Sequence, residues 1–534
     1  MKAEYLPLSD TGFVSRMVLD YIEGNKKLEA FHNGIPSFEN LNSQALQKKA
    51  TYNSNIRKTL CNVLAEQYKE IDCTSKVAEH IKLLKKQTTL TVTTGHQLCL
   101  MTGPLYFIYK IISTIKLSQQ LNRKFSDFDF VPVFWMASED HDFEEISSFV
   151  FRGKKFQWNT KSGGAIGKIH TRSLAPLLDL FDKELGVGMD ADVLRKIIEQ
   201  SYLSETNLSD ATRTFINHLF GHYGLIILDA NNRELKKYFS RFIKKDLIEH
   251  DCKNEVLSQI DLIKKNYSTN FKPQVNPREV NLFFLEEGKR SRILKTVDGY
   301  HIEGSNEIFS IEQIVDKVDK FPEKFSPNVL LRPLFQELIL PNVAYFGGPG
   351  ELAYWLELKS FFDSQKLLFP ILCLRNMAII IPKKTAKKIR NLKLEISDMF
   401  LKRNDLINKK VRQVSNIDLD LYHLKKTLEN QFEKLEALIK ETDVSFEGTV
   451  KAQKSKQFKG IDHLEKRLLK AQRKKLKDHV QRLVLVHEEL FPGGMPQERI
   501  ENFSFVYVDK GQDFISFLME TMDPLSKEFT LIEI

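Results

Sequence analysis

TTGHQLCLMTGPLYFIYK, residues 93–110, is the stretch whose reading decides the fold. It overlaps LTVTT (90–94), whose β-branched residues favour an extended strand, and it runs on into an apolar segment with helical spacing. A polar turn between a buried strand and a helix is where open α/β sheets bind ligands, because loops and helix starts there present N–H groups and polar side chains. A second polar cluster, SEDHD (138–142), stands in the same relation to FVPVFWMA (130–137). Two such clusters, each behind an apolar run, predict one pocket at the carboxyl edge of a sheet.

The 534 residues exceed one simple core, and 42% hydrophobic with 28% charged residues is the composition of a folded protein. Two or three domains are expected. No apolar run approaches the ~20 residues a membrane-spanning helix needs, and MKAEYLPLSDTGF has no signal-like apolar core, so a cytoplasmic protein without a membrane partner is expected. The cysteines Cys61, Cys73, Cys99, Cys252 and Cys373 form no C-x-x-C pair, which argues against a disulfide framework or a zinc ribbon. The net charge of +9 has a local origin. Residues 381–490 hold 27 Lys and Arg against 16 Asp and Glu, leaving 52 and 54 of the chain's 79 and 70 elsewhere. Lys-rich faces of long helices are ordinarily solvated, so no nucleic-acid partner is expected.

From Lys384 to about Glu489 the chain is poor in Pro and Gly and rich in Lys, Leu, Glu and Gln. Apolar residues at three- and four-residue spacing (Leu421, Leu424, Leu428, Phe432, Leu435, Leu438; then Ile461, Leu464, Leu468, Ala471, Leu476, Val480, Leu483) predict an antiparallel helical hairpin turning within 442–453. Each arm should run roughly 60–80 Å at 1.5 Å per residue. Ahead of it, strand and helix patterns alternate, as in GLIILDA (224–230) followed by a charged helix, and this argues for a mostly parallel sheet covered by helices. Residues 151–190 read as a β-containing insertion, and 280–296 as a hairpin turning at Glu287-Gly288. The tail is expected to hold a strand at 503–508 and a short helix.

In TTGHQ, Gly95 permits a tight turn that leaves His96 and Gln97 facing a ligand, with His96 either a general base, an anion ligand or a structural histidine. Thr102, Gly103 and Pro104 read as the start of a helix, with Thr102 as its cap. SEDHD gathers carboxylates around His141, a costly arrangement unless a cation or an amine relieves it. No H-E-x-x-H or comparable spacing is present, so no bound metal is predicted. FGGPGE (346–351) offers backbone that can cradle an anion, yet it is neither a P-loop nor a dinucleotide fingerprint. Arg332, Gln336 and Glu337 precede it at helical spacing. Cys99, between Leu98 and Leu100, reads as a small buried hydrophobe and not as a nucleophile.

Taken in order, GHQ, TGPLY and YKI, then PVFWMASEDHDFEEI, then RPLFQE and GGPGELAYW, followed by long helices, resemble the BshC family of cysteine-adding enzymes in bacillithiol biosynthesis. The resemblance covers nearly the whole chain. It implies a Rossmann-like core over 1–380 with insertions near 151–190 and 270–330, a coiled coil over 381–490 that supports a homodimer, and a tail over 491–534 that folds back on the core. It also implies a ligase that joins the cysteine carboxyl to the amine of glucosaminyl-malate in the last step of the pathway. Amide formation from a carboxylate needs activation, so ATP is expected, accompanied by Mg2+, through an adenylate or an acyl phosphate. On this resemblance Gly95, His96, Gln97, Thr102, Gly103 and Tyr106 line the pocket with Ser138, Glu139, Asp140, His141 and Asp142. Gly347, Gly348, Gly350, Glu351 and Tyr354 belong to the same substrate or nucleotide site, with Arg332 and Gln336. A carboxylate such as Asp140 would hold the cysteine ammonium, His96 or His141 would accept a proton from the sugar amine, and Arg332 would hold the malate carboxylates. The competing reading is a non-catalytic nucleotide-binding scaffold that acts through its coiled coil.

Overall fold

A computed structural model describes residues 1–160, 162–439, 441 and 445–534. The chain forms two units, one of residues 1–379 with 496–532 and one of residues 380–495 with 533–534.

The first unit is built on β1 (Thr89–His96), α1 (Tyr106–Lys124), β2 (Asp129–Met136), β3 (Ile226–Asp229), α2 (Arg233–Ile248), β4 (Leu282–Glu286), β5 (Lys289–Thr296), α3 (Leu331–Ile339), β6 (Asn342–Gly347), α4 (Pro349–Trp355) and β7 (Ile371–Leu374). Five strands pair in the order β7-β6-β1-β2-β3, all parallel. Parallel sheets bury both faces, and that explains the composition of β1. Leu90 and Val92 join Phe130, Val343, Phe346, Ile371, Leu117 and Leu121 in one apolar cluster. Thr91 and Thr93, also fully buried, donate to the Asn342 Oδ1, and Thr94 donates to the Phe346 carbonyl. The threonines are thus satisfied by the neighbouring strand and not by water.

Chain order and spatial order part company beside β1. The chain steps from β1 to β2 and β3 on one side, then returns to lay β6 and β7 on the other. A crevice opens at such a switch point, at the carboxyl ends of the strands. The β4–β5 hairpin, antiparallel with Glu286 opposite Lys289, turns at Glu287-Gly288 as the sequence suggests.

Several expectations need correction. The β structure expected within residues 151–190 is confined to their start. A short hairpin (Ser148–Phe151 with Lys154–Gln157) gives way to helices Ala175–Leu185 and Met189–Ile198, the first with Pro176 in its first turn and Leu177, Leu178, Phe181 and Leu185 buried. Thr102 does not cap α1. It stands at φ 67° between Met101 at 53° and Gly103 at 65°, in a tight loop held by the Asn502 amide, which donates to the carbonyls of Met101 and Gly103 at 2.6 Å each. The cap position of α1 falls to Leu105.

In the second unit the first arm is not continuous. It consists of α5 (Lys383–Asn391), α6 (Arg403–Val414) and α7 (Tyr422–Ile439), while the second arm is α8 (Ser445–Lys475) and α9 (Lys477–Leu490). The Ser415 hydroxyl and the Asp418 and Asp420 carboxylates accept the N–H groups of Ile417, Asp420 and Tyr422, giving the backbone an alternative to helix between α6 and α7. With a break at Leu476, α8 and α9 together run about 70 Å, within the expected length of an arm. The ion pairs Lys425–Asp462 and Lys454–Glu436 set α7 and α8 antiparallel. Residues 442–444 of the expected turn lie outside the described residues, and α8 is helical from Ser445.

Residues 503–508 form no strand. They open α10 (Ser504–Thr521), which buries Val506, Tyr507, Phe514, Ile515, Leu518 and Met519 at helical spacing; the final strand is Glu528–Glu533. Aromatic and β-branched residues imitate a strand locally, but the period of burial overrides that preference.

The loop ahead of α1 supplies a test of the fold. Gly103 lies at φ 65°, ψ −138°, and a Cβ there would come within 2.6 Å of the Cys99 Cβ. Gly103→Ala should lower the unfolding free energy by about 1–3 kcal/mol in a denaturant titration.

Candidate active site at the switch point

All five strands of the parallel sheet contribute their carboxyl ends to one cavity of about 630 Å³. Gly95, His96 and Gln97 come from β1, Ala137, Glu139 and Asp140 from β2, Ala230 and Asn231 from β3, Gly348 from β6 and Arg375 from β7. Tyr345 of β6 lines it too, and the helices and hairpin beside the strands add Tyr106, Lys110, Glu145, Phe283, Arg290, Arg332, Glu351, Tyr354 and Arg499.

The crevice is bridged by an ion pair between a buried lysine and a half-buried glutamate. Lys110, one turn into α1, places its Nζ 2.5 Å from the Glu351 Oε2 and donates to the Gly95 carbonyl at 3.0 Å. Glu351 also accepts the Gly348 N–H at 2.8 Å and the Tyr345 hydroxyl at 2.9 Å. Burial works to raise its carboxyl, but the Lys110 ammonium and the Gly348 N–H outweigh it and hold the group at about 2. Glu351 therefore contributes stability that is fully present above 4.5 and is lost as pH falls toward 2.

His96 is held neutral. Burial, with the Lys110 ammonium behind it, pushes the imidazole down to about 4. Its Nδ1 lies 3.1 Å from the Gln97 carbonyl and its Nε2 lies 3.0 Å from the Tyr106 hydroxyl, a setting that fits an Nδ1–H donor with Nε2 accepting from tyrosine. The preference for the neutral ring stabilises the fold above pH 6.5 and fades as pH falls toward 4. Cys99 packs 3.9 Å from the same ring, and burial pushes its thiol up to about 12, the state of an inert thiol.

On the opposite wall the Gln97 amide donates to both Asp140 and Glu145 at 2.8 Å. Burial raises the Asp140 carboxyl, but Gln97 and the Arg290 guanidinium prevail and hold it below the usual range. Arg290 stacks 3.9 Å from the Phe283 ring centre and donates to the Pro327 carbonyl, the Ser326 hydroxyl and the His141 Nδ1. Glu139 is paired with Lys236 of α2, whose side chain is fully buried. Arg375 pairs with Glu498 at 2.6 Å and lies over the Tyr106 ring.

Some expected site residues lie elsewhere. Thr102 and Gly103 are in the strained loop and do not line the cavity. His141 is half-exposed, and its Nδ1 lone pair is taken by Arg290. Asp142 caps the short helix Phe143–Ile146 through the Glu145 N–H. Ser138 is buried and donates to Asp229 at 2.5 Å, tying the ends of β2 and β3 together. Gln336 lies beneath the site, linking Arg332 to Glu337, which is fully buried against Lys48 and so is no surface residue. Gly347 lies in β6, where a Cβ would meet Leu352 at 2.8 Å. Among the described residues no group of three or more His, Cys, Asp or Glu is arranged to hold a metal ion.

Lys110, Glu145, Arg290, Arg375 and Arg499 are lining residues that the motifs did not single out. Arg375 directly follows the apolar ILCL of β7, the same strand-then-polar signature that exposed TTGHQ and SEDHD. Arg290, on a hairpin, carries no such signal.

The sequence matches the N-terminal Rossmann-like domain of the family described as bacillithiol biosynthesis BshC over residues 1–376, and that family's C-terminal coiled-coil domain over 378–534. The chain belongs to the BshC family. Relatives named "Putative cysteine ligase BshC" include one from Flavobacterium johnsoniae, 43% identical over 534 residues and covering 100% of both chains. One from Christiangramia forsetii is 44% identical, covering 100% of this chain and 99% of its own. One from Cytophaga hutchinsonii is 33% identical, covering 98% and 97%. The BshC Rossmann-like domain thus contains the whole set of strand ends that makes the cavity, apart from Arg499, which the coiled-coil domain match carries.

Removing one partner of a buried pair leaves the other charge stranded. Glu351→Gln should cost about 3 kcal/mol, and Lys110→Met in the same chain should restore much of the loss, as read by a double-mutant cycle in denaturant.

Proposed function

We propose that this protein is an ATP-dependent cysteine ligase, joining the cysteine carboxyl to the amine of glucosaminyl-malate as the last step of bacillithiol synthesis. The observation that carries the reading is the set of charges left over once the pairs in the cavity are made. Lys110–Glu351, Arg290–Asp140 and Arg375–Glu498 pair within the site, as does Glu139 with Lys236. Glu145, Arg332 and Arg499 remain without an oppositely charged partner at ion-pair distance among the described residues. One anion and two cations in a cavity of this size suit a zwitterionic amino acid beside an anionic co-substrate. That the relatives are named cysteine ligases favours cysteine as the amino acid.

Glu145, held beside Asp140 by Gln97, receives the cysteine ammonium. Arg332 lies on the floor, its Nη1 3.4 Å from the position a Gly95 Cβ would take, and it meets the cysteine carboxylate; this moves it from the malate role expected above. A carboxylate oxygen displaces either pyrophosphate or ADP from the nucleotide, and the sugar amine then displaces AMP or phosphate from the acyl carbon, losing a proton. The proton passes by way of the Tyr106 hydroxyl to the neutral His96 Nε2, which accepts from that hydroxyl, and with an imidazole at about 4 the ring relays the proton onward and does not retain it. Any Mg2+ travels with the nucleotide phosphates, since the cavity carboxylates are engaged by cations or by Gln97. The seam residues Leu424, Leu435 and Leu464, exposed by 45%, 38% and 58%, support the homodimer reading.

Purified protein given cysteine, glucosaminyl-malate and Mg2+-ATP should form the amide, with AMP release marking an adenylate and ADP release an acyl phosphate. Glu145→Gln should raise KM for cysteine by roughly 10- to 100-fold. Nucleotide binding without amide formation would favour a scaffold.

A further inference from the structure

A second cavity, of about 710 Å³, shares Gly350 and Arg499 with the active-site cavity. Its walls are the helix Arg16–Glu23, the loop through Asn25 and Lys27, the segment 267–274, and the α4 residues Pro349, Gly350 and Ala353. A Cβ on Gly350 would meet nothing within 4 Å, so the rim common to both cavities is open.

The groove is anchored. Asp20, its one lining carboxylate among the described residues, has an 8%-exposed side chain and is used up by its own neighbours, with Arg16 2.7 Å from Oδ1 and the Tyr267 hydroxyl 2.7 Å from Oδ2. The far end of the segment is fixed by Glu357, which is fully buried and accepts the Gln274 N–H at 2.8 Å. Between these two pins the segment presents Lys272. Lys27 and Arg499 complete the exposed rim, and none of the three has a carboxylate at ion-pair distance among the described residues. An anchored groove that gathers cations and neutralises its only anion attracts negative charge.

We infer that this groove is a second subsite, which takes a polyanionic group of a substrate whose reacting end lies in the active-site cavity, with Arg499 shared between the two. The inference rests on the ligase reading given above. Two sources carry that chemistry, the phosphate chain of the nucleotide and the dicarboxylate of the acceptor.

Binding can be tested without turnover. Full-length protein and a Lys27→Glu/Lys272→Glu double variant, both changes at exposed positions, are titrated calorimetrically with inorganic tripolyphosphate, with malate and with cysteine. The native protein should bind at least one of the two polyanions, and the variant should lose about tenfold or more in that affinity while binding cysteine as before. A loss confined to tripolyphosphate assigns the groove to the nucleotide, and one confined to malate assigns it to the acceptor. Equal polyanion affinity in both proteins, or no polyanion binding by the native protein, overturns the inference. Cysteine binding and amide formation, followed in parallel, show separately whether the ligase reading stands.

Discussion

Everything in the site depends on the Lys110–Glu351 pair. It joins the helix after β1 to the helix after β6 across the crevice, and it also ties down the Gly95 carbonyl, the Gly348 N–H and the Tyr345 hydroxyl. An ammonium as buried as that of Lys110 is costly to desolvate, and it persists only when a carboxylate at the cavity wall and additional hydrogen bonds offset that cost. Here those bonds come from the backbone at the switch point itself. The pair therefore ties the ends of β1 and β6 together, and its ammonium helps to keep His96 neutral.

Around that clamp the site neutralises nearly all of its own charge. Asp140 is engaged by Arg290 and Gln97, Glu139 by Lys236, and Arg375 by Glu498. A preorganised network of this kind does not need to rearrange when a charged substrate enters. It also narrows the residues that can recognise one: among the described residues, Glu145, Arg332 and Arg499 have no oppositely charged side chain at ion-pair distance.

Much of this was legible in the sequence, for definite reasons. Strands buried on both faces write apolar and threonine runs, and polar residues directly behind them mark the carboxyl edge of a sheet, so TTGHQ and SEDHD led to the cavity. What was not legible depends on distance in the chain. Arg290 reaches the cavity from a hairpin, and Arg499 comes from beyond the coiled coil. Within the motifs, proximity in sequence misled. His141 and Asp142 sit beside Asp140, but one is taken by Arg290 and the other by a helix end, while Glu145 faces the cavity. Thr102 looked like a helix cap because nothing in the local sequence announces Asn502, the distant residue whose amide holds that loop in its left-handed turn.

The measurement that bears most directly on cysteine ligation at this cavity is mass spectrometry of low-molecular-weight thiols and their precursors in a host lacking the gene, complemented with the native chain or with Glu145→Gln/Asp140→Asn. The account predicts that the deletion loses bacillithiol and accumulates glucosaminyl-malate, that the native chain reverses both, and that the variant, although folded and expressed, does not. Bacillithiol unchanged in the deletion, or restored fully by the variant, would contradict it.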